Sequence, residues 1–271
     1  MPELPEVEVV RRGLESYLVG KKIAHITVHR CDLRYPVPDL DAALRGCKLR
    51  GIERRAKYLL FFFENTLLVW HLGMTGQFHV LPQDIPAAPH EHVCLLFSDG
   101  TSLRYRDSRR FGYAGLLPLD GWQQHPWFRY LGLEPLDGEF TVEYLMHCCK
   151  MRKASVKQIL MNAHVVVGIG NIYACEVLFR ARIHPARAAN RISHARLQKL
   201  FQAIRQVLGE AIDAGGSSIS DFVRVDGKPG YFAHDFRVYG RDGEVCPDCG
   251  RRIRRMVQSG RSTFYCPGCQ H

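Results

Sequence analysis

The sequence contains no uninterrupted apolar run approaching the roughly 18 residues of a membrane span, which excludes a span of that kind. Its first residues lack the basic start and apolar middle of a secretory leader and carry acids and prolines instead, so a cytoplasmic location is expected. No internal repeat is present, which argues against solenoid and propeller architectures. Acidic side chains are the scarcer charge, 27 against 37 Lys and Arg, leaving a formal charge of +10. That surplus points to a polyanionic partner, because Lys and Arg placed on phosphates release condensed counterions. Length and apolar content, by contrast, are ample. With 271 residues, 46% of them hydrophobic, the chain can bury cores in two domains.

After an initial helix, the pattern to about residue 130 is that of strands, at 22–29, 58–63, 67–71, 93–97 and 102–105. Glu64-Asn65 and Asp99-Gly100 mark turns within it. The stretch from Leu131, with its Gly, Pro and Asp, reads as a linker. Beyond it the period becomes helical over 142–151, 155–161, 171–181 and 193–214, the last run ending at Gly215-Gly216. A loop rich in Gly and Ser follows, and then a hairpin-like tail from Phe236. The expected fold is α+β in two domains, an N-terminal antiparallel β-sandwich with a flanking helix and a C-terminal helical domain ending in a four-cysteine zinc-finger hairpin. The expected boundaries are 1–130, a linker at 131–139, a helical region at 140–235 and a finger at 236–271.

Ten cysteines in a cytoplasmic chain do not make a disulfide framework. Cys31, Cys47, Cys94, Cys148, Cys149 and Cys175 are scattered among apolar residues and read as small buried groups or ordinary thiols. The remaining four form Cys246-x2-Cys249 and, after sixteen intervening residues, Cys266-x2-Cys269. Two such knuckles fit one tetrahedral Zn2+, and four thiolates leave no open position for water, so the zinc is expected to be structural. Residues 237–271 also carry seven arginines against three acids, and Arg suits phosphates and base edges better than Lys does. Gln258-Ser259-Gly260-Arg261 has the character of a hairpin tip, which would let the metal-pinned finger present Arg261.

The opening Met1-Pro2-Glu3-Leu4-Pro5-Glu6 is unusual in another way. Pro5 suits a first helical position, Glu6 and Glu8 favour the positive end of the helix dipole, and Val7, Val10, Leu14, Tyr17 and Leu18 recur at helical spacing. A beginning helix therefore explains everything from Pro5 onward and leaves Pro2 and Glu3 unaccounted for. Removal of Met1 would expose a secondary amine with a pKa near 8, partly unprotonated at neutral pH and able to attack carbon.

Taken together, Met1-Pro-Glu-Leu-Pro-Glu-Val-Glu and Thr263-Phe-Tyr-Cys-Pro-Gly-Cys closely resemble the ends of the bacterial formamidopyrimidine-DNA glycosylase family. Between them, in order, stand Arg54-Arg-Ala-Lys-Tyr-Leu, His71-Leu-Gly-Met-Thr-Gly, Arg109-Arg-Phe-Gly, Val167-Gly-Ile-Gly-Asn-Ile-Tyr-Ala and Asp226-Gly-Lys-Pro-Gly-Tyr-Phe. The resemblance implies a monomeric, zinc-bearing enzyme with a helix-two-turn-helix motif that excises oxidised purines from double-stranded DNA and then cuts the backbone.

It also implies roles. Pro2 is the nucleophile, Glu3 the sugar-ring acid, and Glu6 a supporting group. Lys57 serves β-elimination and Arg261 δ-elimination. Met74, Arg109 and Phe111 fill the hole left by an extruded base, while His90, Arg152, Lys157 and Asn171 contact DNA. The glycines before Asn171 give that assignment independent support, since they let helix N-terminal amides approach an anion. A loop over 216–231 is expected to cover the extruded base. Two positions depart from the family pattern: Arg152 replaces a common lysine, and Ser108 replaces a common proline. A sister class, the endonuclease VIII type acting on oxidised pyrimidines, shares the Pro2 chemistry, but Leu4 and the Arg109-x-Phe111 wedge favour the purine enzyme. A non-catalytic zinc-finger protein would explain the charge and the cysteines but not Pro2-Glu3.

Overall fold

The computed structural model describes residues 2–216 and 236–271, so most of the 216–231 loop and the Asp226 motif lie outside the described residues. The described chain forms two compact units, one holding residues 2–129 with 214–216 and the other holding 130–213 with 236–271.

The first unit begins with α1 (Leu4–Leu18), whose Leu4, Val7, Val10, Leu14 and Leu18 are buried. Each fully buried Leu or Val contributes about 2 kcal/mol to stability. Tyr17, expected on the same face, is instead 49% exposed. Two antiparallel four-stranded sheets follow. One is ordered β1-β6-β7-β5, from β1 (Ile23–Val28), β5 (Gln77–Pro82), β6 (Glu91–Phe97) and β7 (Thr101–Arg106). The other is ordered β2-β3-β4-β8, from β2 (Leu49–Arg55), β3 (Tyr58–Phe63), β4 (Leu67–His71) and β8 (Tyr113–Leu117). Their inner faces share one core with α1, in which Phe61 and Trp70 of one sheet meet Phe78 and Tyr105 of the other. A short helix α2 (Leu40–Leu44), absent from the sequence expectations along with β2, β5 and β8, closes one edge.

In the second unit the stretch after Tyr130 has no helix or strand, but it is not a free spacer. Its Gly132 amide donates to the Ala163 carbonyl at 2.7 Å, and Leu133 bridges Val166. The helices α3 (Val142–Lys150), α4 (Val156–Leu160), α5 (Asn171–Arg180) and α6 (His194–Asp213) follow the expected register closely. Strands β9 (Arg254–Gln258) and β10 (Arg261–Tyr265) pair as a hairpin with Gln258 opposite Arg261. The two residues between them, Ser259 and Gly260, both adopt positive φ, as the tightest hairpin turns require. The finger shares a core with the helices, because Cys175 and Phe179 of α5 pack against Val238, Ile253 and the finger cysteines Cys246, Cys266 and Cys269. Glu176 reinforces this seam. Its buried carboxylate accepts the amides of Arg237, Val238 and Tyr239 at 2.8–3.0 Å.

Candidate active site and DNA-binding groups

At the start of α1, Pro2 is buried, and Glu3 and Glu6 are 2% and 1% exposed. The Glu3 amide donates to Glu6 Oε2 at 2.8 Å, so the Glu6 carboxylate closes the helix end and fixes the backbone that carries Pro2. Leu4 is the first helical residue and Pro5 the second, one position later than the sequence pattern suggested.

The same helix is tied to the turn that carries Lys57. Glu8 binds Arg54 at 3.0 Å, and Arg54 donates onward to the Ala56 carbonyl at 3.0 Å. Ala56 and half-buried Lys57 form the two-residue turn between β2 and β3, with Ala56 at φ 55°. Burial works to raise the Glu8 pKa, but Arg11, Arg12 and Arg54 outweigh it and hold the carboxyl below its ordinary value. The tie between helix and turn is thus ionic throughout the neutral range.

Met74 occupies the tight turn after β4, and Arg109 and Phe111 occupy the loop between β7 and β8. All three face a cavity of about 790 Å3, which Leu33, Arg34 and His71 also line. Met74 and Phe111 stay out of the buried core, where apolar residues ordinarily go, and Phe111 is 42% exposed with the Arg109 guanidinium 4.8 Å from its ring centre. His90 is exposed at φ 63°, and its carbonyl accepts the Asp107 amide.

His71 received no role from its sequence motif. Its Nδ1 accepts the Gly73 amide at 2.9 Å, and its ring stacks on Tyr113. Burial, together with the positive charges of Lys57 and Arg34, brings its pKa down to about 4. The ring is therefore neutral at pH 7 and carries its proton on Nε2.

In the second unit, Lys157 is only 2% exposed. Its ammonium donates to Asn171 Oδ1 at 2.5 Å and to Thr263 Oγ1 at 2.6 Å. Asn171 in turn donates to the Ser262 carbonyl, and Gln158 of α4 donates to Ser259 Oγ at 2.8 Å. Two helices therefore grip the hairpin on both sides of Arg261, which is exposed at the first position of β10. Arg152 is exposed just beyond α3. Arg152, Lys157, Asn171 and Arg261 thus lie on the second unit, and the other predicted catalytic and wedge residues lie on the first.

The four finger sulfurs lie within 4.8 Å of one another, with Cys246 to Cys269 at 3.8 Å and Cys249 to Cys266 at 3.3 Å. Tetrahedral zinc with bonds of about 2.3 Å requires sulfur spacings of about 3.8 Å, so the donor set fits. The Arg251 amide and the neighbouring thiols pull Cys249 down to about 7, whereas burial pushes Cys266 and Cys269 up. Four sulfurs this close together suit a dication that favours every thiolate.

Family models match in sequence order. The formamidopyrimidine-DNA glycosylase N-terminal domain covers residues 1–114, the H2TH domain of the same enzymes 131–223, and the zinc finger found in FPG and IleRS 243–271. The chain belongs to the formamidopyrimidine-DNA glycosylase family. The formamidopyrimidine-DNA glycosylase of Thioalkalivibrio sulfidiphilus is 47% identical over 272 residues, with both chains covered in full. Among solved structures, Lactococcus lactis Fpg in complex with abasic-site DNA is 35% identical with a TM-score of 0.91, covering 99% of each chain. Wild-type Lactococcus lactis Fpg with N7-benzyl-Fapy-dG DNA is 36% identical, again at 0.91 and covering both chains fully. As a formamidopyrimidine-DNA glycosylase family member, this protein is a base-excision enzyme for oxidised purines with AP lyase activity and one structural zinc.

Proposed function

We propose that the reaction begins at the Pro2 amine once Met1 has been removed. The amine nitrogen bonds to C1′ of the damaged nucleotide and loses its proton as the glycosidic bond breaks, and the electron pair departs with the base. Glu3 protonates the ring oxygen O4′. The sugar opens, and the C1′–nitrogen bond becomes an iminium ion, the electron sink for both eliminations. Loss of a C2′ proton then expels the 3′ phosphate, with Lys57 on the phosphate as proton donor. A second elimination expels the 5′ phosphate, with Arg261 holding it, and a one-nucleotide gap with phosphates on both ends remains.

Met74 and Phe111 wedge into the base stack while Arg109 donates to the orphaned cytosine, and His90, Arg152, Lys157 and Asn171 serve the DNA backbone. The domain limits of this reading are 1–130, 140–235 and 236–271. The enzyme works as a monomer on damaged duplex in the bacterial cytosol and nucleoid. One observation carries the mechanism: the backbone of the Pro2-Glu3 pair is clamped by Glu6 on a helix whose core face is buried, so a terminal amine has a fixed address.

The test is borohydride reduction on duplex containing 8-oxoguanine opposite cytosine, with intact-mass analysis of the N-terminus. The expected product is a covalent adduct through Pro2 in protein that has lost Met1. An adduct that maps to a residue other than Pro2, or active enzyme that retains Met1, would reject the nucleophile assignment. Thymine glycol in the same assay separates purine from pyrimidine preference.

A further inference from the structure

Asp107 has no place in the chemistry above, yet it is completely buried at the junction of the two loops that carry Met74, Arg109 and Phe111. Its carboxylate accepts hydrogen bonds from both loops. Oδ1 takes the Thr75 hydroxyl at 2.5 Å and the Arg109 amide at 3.3 Å, and Oδ2 takes the Gly112 amide at 2.8 Å and the Tyr105 hydroxyl at 3.1 Å. Thr75 Oγ1 also accepts the Arg109 amide, at 3.2 Å. The Asp107 backbone extends the tie to the His90 segment, since its amide donates to the His90 carbonyl and its carbonyl accepts from His92 Nε2 at 2.7 Å.

Packing around this carboxylate leaves no slack. A β-carbon on Gly73 would lie 2.4 Å from the Phe111 and Gly112 backbone, and one on Gly112 would lie 1.7 Å from the Tyr105 hydroxyl. The turn bearing Met74 is therefore pressed against the backbone of Phe111 and Gly112, and both meet Tyr105. A buried anion surrounded by fixed donors has few alternative arrangements, because any shift of either loop strands a charge or a backbone N–H away from water.

We propose that Asp107, with Thr75 and Tyr105, is a positioning residue that holds Met74, Arg109 and Phe111 as one rigid wedge and so sets the discrimination for the base opposite the lesion. This rests on the assignment of those three residues as the wedge. Asp107→Asn preserves shape but places an amide NH2 against either the Gly112 or the Arg109 amide, and a backbone N–H cannot reverse its polarity. Thr75→Val removes the hydroxyl that joins the loops, and Thr75→Ser keeps it.

The measurement is single-turnover excision of 8-oxoguanine opposite cytosine and opposite adenine by the full-length, zinc-loaded protein, expressed as the ratio of the two rates. Misfolding lowers both rates alike, so the ratio is insensitive to the folded fraction. Asp107→Asn and Thr75→Val should each reduce the ratio about tenfold, the scale of one lost buried charge-assisted bond, and Thr75→Ser should retain it. A wild-type ratio in folded Asp107→Asn, with or without a uniform loss of rate, overturns the proposal. If Asp107→Asn does not fold, the same result in Thr75→Val decides it. Arg109→Ala separates the two levels of inference. A ratio unchanged in Arg109→Ala rejects the wedge assignment itself, whereas a ratio lost there and kept in Asp107→Asn rejects only the role of Asp107.

Discussion

The two units hold a buried charged group rigidly by opposite means. The first buries an anion: Asp107 sits among neutral donors inside a sandwich whose large apolar core spans both sheets. The second buries a cation: Lys157 is held by the side-chain oxygens of Asn171 and Thr263, and the finger beside it has only a small core around four cysteines. A large core stabilises its unit whatever the polar details, whereas a small one depends on the metal and on a few hydrogen bonds. Loss of metal or of one polar contact should therefore be felt mainly in the second unit, and loss of apolar volume mainly in the first.

The largest expected effect is that of zinc loss. Structural zinc sites are worth about 10–16 kcal/mol in isolated fingers, so Cys249→Ser should release zinc and abolish DNA cleavage together. Near-ultraviolet signals from Trp70 in the first core should survive. A zinc-free variant with full cleavage would remove the finger from the reaction, and loss of the Trp70 signal would erase the distinction between the units. Leu14→Ala comes next. It empties a fully buried site of the first core and should cost about 3 kcal/mol in denaturant unfolding while zinc content stays stoichiometric.

Lys157→Met should cost about 2 kcal/mol, because the Asn171 and Thr263 oxygens lose their donor. It should also shift products from δ- toward β-elimination on a sequencing gel as the grip beside Arg261 slackens. An unchanged product ratio would show that the hairpin holds Arg261 without that grip. The smallest effect is a pH dependence. The native His71 ring has its pKa depressed to about 4, so the unfolded chain takes up the proton first as pH falls through about 6.5. Its contribution to stability is complete above about pH 6.5 and is lost progressively toward pH 4. The shift sets a ceiling of about 3 kcal/mol, and the ring's partial exposure reduces that to about half. His71→Asn should flatten this part of the curve, and an equal slope in the variant would place the acid sensitivity elsewhere.

Much of this molecule was decided locally and is legible in the chain. The helices after residue 140 were readable to within a residue or two, α6 most clearly from its amphipathic pattern, and the paired CxxC knuckles define a metal site by spacing alone. Pro2 stands out because no helix rule requires it, whereas Glu3, unaccounted for in the sequence, takes the N-cap of α1 in a capping box with Glu6.

Strands β2, β5 and β8 escaped notice for physical reasons. Strand β2 is charged and bulged between Leu49 and Gly51, β5 buries only Phe78, and β8 emerges from an irregular loop, so none alternates cleanly. Tertiary structure alone decided which side of the protein's surface each key group occupies. Met74 and Phe111 are apolar residues that line an open cavity, while Lys157, expected to contact DNA, is buried. Asp107 carries no signal at all until folding brings Thr75, Tyr105, Arg109 and Gly112 around it. Periodicity and ligand spacing are short-range properties that a sequence displays, whereas burial of a polar group depends on partners supplied by distant strands, and only the fold brings them together.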